Sequence, residues 1–504
     1  MNRSTSSLLL PGCLVALALS ASAWANVRLP ALFTDHMVLQ QEKAIPVWGW
    51  ADEGETVTVR FRQQTVSTVA RGGKWMVRLQ PEKPGGPDSL TVSANNQVSM
   101  DDVLVGEVWI CSGQSNMEWP LSRSYQPEAD IQSATNAKIR LFTVPKLKAK
   151  TPVKDVKASW KVCQPDEAKN FSAVGYYFGR ALQRDCAVPI GLIHTSWGGS
   201  PAEVWMSEDV LTQNPEYRRD ILDTYPAAWR KYQEQVAAYE KEKAELEAQG
   251  KKIQRGRPWG LWRPTELYNG MIAPLIPYAI RGAIWYQGES NAGRAHQYRT
   301  LFPDMIRNWR RDWGQDDFTF LAVQLAPYMK IQEQPAESAW AELREAQWLA
   351  TQVLPNVGMA VITDVGDPQD IHPTKKVPVG ERLALAARGI AYGEKITYSG
   401  PIYRRMVARG NQAILSFRHV GKGLHAPDGE LKGFAVCGPD RHFYWAQAKI
   451  EGRRVVVSCP EVKRPVAVRY GWADCPVVNL WNKDGLPASP FRTDDFPMIT
   501  APKN

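Results

Sequence analysis

Between residues 103 and 392, apolar runs of strand length alternate with segments of helical periodicity, and on either side of that region only strand signals remain. The strand-length runs fall at 105–111, 139–144, 190–195, 279–285, 318–325 and 357–363, and the helical segments at 174–184, 298–313, 338–352 and 379–392. A chain that alternates in this way buries its strands in a parallel sheet with helices on both faces, which predicts an α/β domain over 103–396.

The flanks follow a different rule. Residues 26–102 carry short period-two runs at 44–50, 56–61, 74–79 and 89–92, separated by Gly, Pro and Asp turns, the pattern of a small β-sandwich. From 397 to 504 strand signals return at 413–417, 434–437 and 454–458, giving a second β-rich module. One insertion, at about 214–256, interrupts the α/β series. Trp229, Tyr232, Val236, Tyr239 and Leu246 recur at heptad-like spacing up to Gly250, with Lys243 breaking the seam. This predicts a long amphipathic helix laid over the main domain and shaping a substrate rim rather than a coiled-coil dimer.

A length of 504 residues exceeds what a single core usually covers, which agrees with three units. Arg3, the Leu8-Leu9-Leu10 cluster, the apolar stretch from Leu14 to Leu19 and Ala23-Trp24-Ala25 form a secretory signal over 1–25 with cleavage after Ala25, so a periplasmic or secreted enzyme is expected. A lipoprotein site at Leu10-Pro11-Gly12-Cys13 is disfavoured by its short apolar core and its proline, and no other segment is long and apolar enough to span a bilayer. Cleavage leaves Cys111, Cys163, Cys186, Cys437, Cys459 and Cys475, an even number that permits disulfides in an exported chain; Cys437 and Cys459 are candidates to pair across neighbouring strands. The net charge of +9 is spread among many acidic residues with no long basic run, which argues against a nucleic-acid partner.

Four loops that follow apolar runs carry the chemistry. They are Gly113-Gln114-Ser115-Asn116, Trp197-Gly198-Gly199-Ser200, Gln287-Gly288-Glu289-Ser290-Asn291 and Asp370-Ile371-His372-Pro373. In an α/β sheet such loops converge where the strands end. A serine hydroxyl is a poor nucleophile until an imidazole takes its proton and donors meet the oxyanion that forms, so Ser115 and His372 are the candidate pair. The histidines are scattered and no Cys-x-x-Cys spacing occurs, so neither a metal nor another cofactor is expected.

Taken with Gly106-Glu107-Val108-Trp109 and the run from Gly198 to Trp205, these motifs resemble the sialate O-acetylesterase family of the SGNH hydrolase group. Met37-Val38-Leu39-Gln40-Gln41 and the stretch 485–493 resemble its flanking signatures, so the likeness covers most of the chain. The resemblance implies a flavodoxin-like hydrolase domain with β-rich modules that removes acetyl groups from sugar hydroxyls without metal. It implies Ser115 as nucleophile, His372 as general base, and the N–H groups of Ser115 and Gly199 with the Asn291 side chain as oxyanion donors. Gln114, Gln287 and Glu289 are the further substrate-side residues, with Glu289 assigned to holding the Asn291 loop or the sugar. Many SGNH enzymes place an aspartate three residues before the histidine, and here that position is Gln369. Asp370, Asp367 or a backbone carbonyl therefore remain as orienters of His372, with Asp370 placed first because one intervening residue in an extended segment leaves both side chains on one side. O-acetylated sialic acid is the first substrate expected, acetylated xylan or xyloglucan the alternative. A glycan-binding protein with a disabled centre is the reading from another class, and the presence of both Ser115 and His372 argues against it.

Overall fold

The computed structural model describes residues 26–502, and the export signal expected over 1–25 lies outside the described residues. Six strands, β1 (Val38–Gln40), β2 (Ile45–Gly49), β3 (Thr56–Phe61), β4 (Gln64–Val69), β5 (Trp75–Leu79) and β6 (Gly85–Ser93), precede the long strand β7 (Gln97–Gly113). The first part of β7 pairs antiparallel with β6, and β1 joins it in parallel. The expected boundary at 102/103 therefore falls inside one continuous strand. From Val103 to Gly113 every residue of β7 is buried, because this part is covered on both faces. In the N-terminal unit Trp75 is buried and Trp48 packs edge-on against Phe33, so these two tryptophans serve the interior.

Beyond β7 come β8 (Asn136–Thr143), β9 (Lys161–Cys163), β10 (Ile190–Ser196), β11 (Gly282–Tyr286), β12 (Thr319–Val323) and β13 (Val357–Ala360). The order across the sheet is β13-β12-β11-β7-β10-β8-β9. All neighbours from β13 to β8 are parallel, and β9 caps the edge antiparallel to β8. The chain fills one side of β7 first and then crosses to the other. Such a crossing opens a crevice at the carboxyl end of the central strand.

Side chains alternate along β7, and the two faces of the sheet have separate cores. Val108 and Ile110 join the helices Ala295–Trp313 and Ala339–Val353, whereas Trp109 and Cys111 join Ala173–Cys186 and Val377–Ile390. Local signals set the helix ends: the Ser172 hydroxyl accepts from Gly175 N–H at 3.0 Å, and Ser338 does the same for Ala341 at 2.9 Å.

The insertion contains the helix Tyr225–Ala248, of which only Tyr239 is buried. It is less of a packing helix than its apolar spacing predicts. The returning segment is pinned to it by ion pairs of Arg255 with Glu242 and Arg257 with Glu240.

The C-terminal module has two four-stranded antiparallel sheets, whose central strands meet in a core that includes Leu415, Val457, Val436 and Val468. Cys437 ends a strand of one sheet and Cys459 follows a strand of the other. The disulfide expected between them is not made, and all six cysteines among the described residues are free thiols. The module grips the hydrolase through Arg344, fully buried, whose guanidinium donates to the carbonyls of Leu325, Ala326, Ala473 and Asp474. Among the described residues no helix is long and apolar enough to cross a membrane.

Candidate active site

Ser115 begins a short helix, Ser115–Glu118, two residues after β7 ends. The turn between them depends on Gly113, whose φ is +138° and where a Cβ would overlap the Tyr286 backbone of β11. His372 arrives from the opposite side, on the loop between β13 and the helix Val377–Ile390. Its Nε2 lies 2.8 Å from Ser115 Oγ across a sequence separation of 257 residues. The imidazole stacks on Trp119, with ring centroids 5.3 Å apart and planes 17° from parallel. Burial lowers the His372 pKa below the usual imidazole value; the nearby Asp370 opposes this and the Lys376 cation adds to it.

Of the three possible orienters, Asp370 approaches the imidazole. Its Oδ1 accepts from the His372 backbone N–H at 2.8 Å and lies 3.3 Å from His372 Nδ1. Its side chain is 55% exposed, which weakens its field on the ring. Asp367 instead accepts from the Gln369 N–H at 2.8 Å.

The Gly198-Gly199 loop lies against the serine. A Cβ on Gly198 would sit 3.2 Å from that of Ser115, and Gly199 has φ +74°. Glu118 holds this loop, its Oε2 accepting from Gly198 N–H at 2.6 Å while Oε1 pairs with Lys146 at 2.5 Å. The N–H groups of Ser115 and Gly199 have no acceptor among the described residues. Both residues line a cavity of about 600 Å³ together with Trp119, Arg123, Trp197 and His372.

Two of the expected residues, Asn291 and Gln287, stand behind the cavity rather than in it, and Gln114 lies at its wall. Asn291 is buried, with Oδ1 accepting from Ala202 N–H at 2.9 Å and from Gln287 Nε2 at 2.7 Å, while Nδ2 donates to Glu203 at 3.0 Å. Gln287 donates to Ser200 O at 3.2 Å and accepts from the Tyr298 hydroxyl at 2.8 Å. Gln114 reaches the cavity wall, but its Oε1 accepts from Gly288 N–H at 3.4 Å and Ser290 N–H at 3.3 Å. Side-chain amides are the right groups to tie loops together because each both donates and accepts. Here the bonds these amides make go to the framework, and Asn291, expected as an oxyanion donor, ties loops together.

Below the loops lies a polar network centred on Asn116. Its Nδ2 donates to Glu289 Oε1 at 2.8 Å and to Ile371 O at 3.0 Å, and its Oδ1 accepts from Lys376 Nζ at 2.5 Å. Asn116 thereby joins the serine loop to the two loops carrying Glu289 and His372. Burial pushes the Lys376 ammonium down to about 7 and raises the Glu289 carboxyl, with the two groups partly offsetting each other's penalty. The sequence offered no cue to Lys376 beyond its place near a helix start, because its partners are remote in the chain. The other strand-end histidine, His194, is buried, held neutral with its pKa lowered to about 4, and bonded to Ser196.

A parallel sheet with a serine at the carboxyl end of its central strand and a histidine from the last loop defines an α/β hydrolase of the SGNH type. The family model for carbohydrate esterase, sialic acid-specific acetylesterase, matches residues 105–252 and 248–388. The mouse sialate O-acetylesterase is 31% identical, covering 95% of this chain and 96% of the relative, and the human one is 29% identical with the same coverage. The crystal structure of a carbohydrate acetylesterase from Xanthomonas citri superposes with a TM-score of 0.81 at 39% identity, covering 93% of this chain and 100% of that one. The chain belongs to the sialic acid-specific acetylesterase family of carbohydrate esterases, and it is a carboxylic ester hydrolase.

Proposed function

We propose that Ser115 and His372 perform acyl transfer from O-acetylated sialic acid. The contact that carries the chemistry is the 2.8 Å approach of His372 Nε2 to Ser115 Oγ. His372, neutral at physiological pH because burial disfavours its cation, takes the serine proton as Oγ attacks the acetyl carbonyl. The N–H groups of Ser115 and Gly199 receive the oxyanion. The imidazolium then protonates the departing sugar oxygen, and water, deprotonated by the same ring, releases acetate from the acyl-serine. Asp370 favours the Nδ1-protonated tautomer and steadies the imidazolium. Glu289 and Asn116 hold the loops and take no part in proton transfer.

Arg123 supports the choice of an acidic sugar. Its guanidinium sits 4.1 Å from the Trp119 ring centroid, on the cavity wall, with no carboxylate partner among the described residues. A substrate carboxylate would supply that partner, whereas acetylated xylan would leave it unused. Acetate release from acetylated sialic acid and from acetylated xylo-oligosaccharides tests the reading. Wild-type enzyme favours the sialate, and Arg123→Gln lowers kcat/KM on the sialate by about tenfold or more, the scale of one charged hydrogen bond, with little change on the xylo-oligosaccharide. Preference for the xylo-oligosaccharide would overturn the substrate assignment. The signal read over 1–25 supports action in the periplasm or outside the cell, and N-terminal sequencing of the exported protein should begin at Asn26.

A further inference from the structure

The cavity above Ser115 continues sideways. A second depression of about 600 Å³ adjoins it and shares Gly199, Ser290 and Trp259 as walls. Its outer side is built by the insertion, with Lys231, Tyr232 and Gln235 from the helix Tyr225–Ala248, and by Trp262 on the returning segment. Trp259 is 93% exposed. Leaving so large an apolar ring in water forgoes the stabilisation its burial would give, and the segment that carries it runs beside the helix, with Arg255 paired to Glu242 and Arg257 to Glu240. Trp262 meets Trp197 edge-on with centroids 5.5 Å apart, which links the second depression to an aromatic wall of the first.

We infer that this depression is a subsite for the glycan to which the acetylated sugar is attached, so that the enzyme works on linked sugars in preference to the free monosaccharide. The inference rests on the carbohydrate esterase reading. Sugar rings combine an apolar C–H face, which packs on an aromatic ring, with hydroxyls that need donors and acceptors close by. Trp259, Tyr232 and Trp262 offer the rings, and Gln235, Lys231 and Arg294 offer the polar groups. The volume is in the range of small-ligand sites, ~300–1,000 Å³. A sugar chain leaving the catalytic cavity past Gly199 and Ser290 meets this depression next, since both residues wall the two.

The test compares kcat/KM for each acetylated sugar free and at the end of an oligosaccharide, in a sialic acid series and a xylose series. In whichever series the enzyme hydrolyses, the linked substrate is expected to be better by about tenfold or more. Trp259→Ala and, separately, Tyr232→Ala are expected to reduce that ratio towards one, mainly through KM. Equal kcat/KM for free and linked forms in the wild type overturns the subsite. So does a loss in both variants that is the same for free and linked substrates, which would assign these rings to the catalytic cavity alone. Failure of the sialate reading shows separately, as hydrolysis of the xylose series with the sialate series untouched.

Discussion

The floor of the active site and its rim are built on opposite terms. On the floor, Asn116, Gln287, Asn291 and Lys376 are buried with polar groups bonded to other side chains or to backbone, and each loop is fixed by at least one remote partner. On the rim, Trp259 is almost wholly exposed, and the helix Tyr225–Ala248 buries a single residue. A reacting serine needs its base held to within a fraction of an ångström, and a packed, hydrogen-bonded floor supplies that. Recognition of a sugar chain tolerates looser placement, and loops at the edge can change without disturbing the chemistry.

Substitutions on the floor should therefore cost catalysis and those on the rim should cost selectivity. The largest effect is expected from Ser115→Ala, with acetate release falling by about 10⁵-fold or more on the scale of a serine-protease nucleophile and the melting temperature nearly unchanged; an acyl adduct trapped on a peptide containing Ser115 checks the same assignment. Lys376→Met should come next, lowering kcat/KM by on the order of 10²-fold as Asn116 and the His372 loop lose register. The sign of its pH effect is fixed. Activity needs neutral His372, and Lys376 helps hold that pKa down, so the wild-type acid limb lies below the usual imidazole value and the variant's limb moves up towards it. A limb that stays in place in Lys376→Met would break the link between the buried lysine and the base.

Asp370→Asn sharpens the comparison because Asp370 belongs to the floor by role and to the solvent by position. With the carboxylate 55% exposed and 3.3 Å from Nδ1, its loss should fall well short of the ~10⁴-fold seen when a buried triad acid is removed. The acid limb should move further down, since Asp370 raises the His372 pKa. Asp367→Asn should be milder still, and a larger effect there than at Asp370 would reassign the orienter. The smallest effects are expected from Trp229→Ser, a rim change away from buried features, and from EDTA, since no group of His, Cys, Asp and Glu among the described residues could hold a metal ion; both should leave hydrolysis of a simple aryl acetate within about twofold of wild type.

Much of the floor was legible because its chemistry comes as short local motifs at strand ends. Ser115 follows an apolar strand and a glycine that permits a sharp turn, and His372 follows the last strand of the series, so four loops and their convergence were readable from strand–helix alternation alone. The roles within the floor were less legible. Asn291 and Gln287 carry side chains suited to binding a substrate, yet their bonds go to Glu203, Ser200 and Tyr298. Lys376 left no trace in any motif, because what makes it informative is the Asn116 amide 260 residues away. On the rim, periodicity announced a helix but not how little of it would be covered.

By itself the sequence carried the class of fold through apolar periodicity and turn chemistry, and the family and the two side chains proposed to react through short motifs, all of them local properties written residue by residue. Whether an amide faces the cavity or the framework, whether two cysteines share a sheet, and whether a tryptophan is buried or exposed were decided only by tertiary structure. Those outcomes depend on which distant groups arrive beside a side chain. Hydrogen bonding and burial are settled by that meeting and not by the residue's own neighbours in the chain.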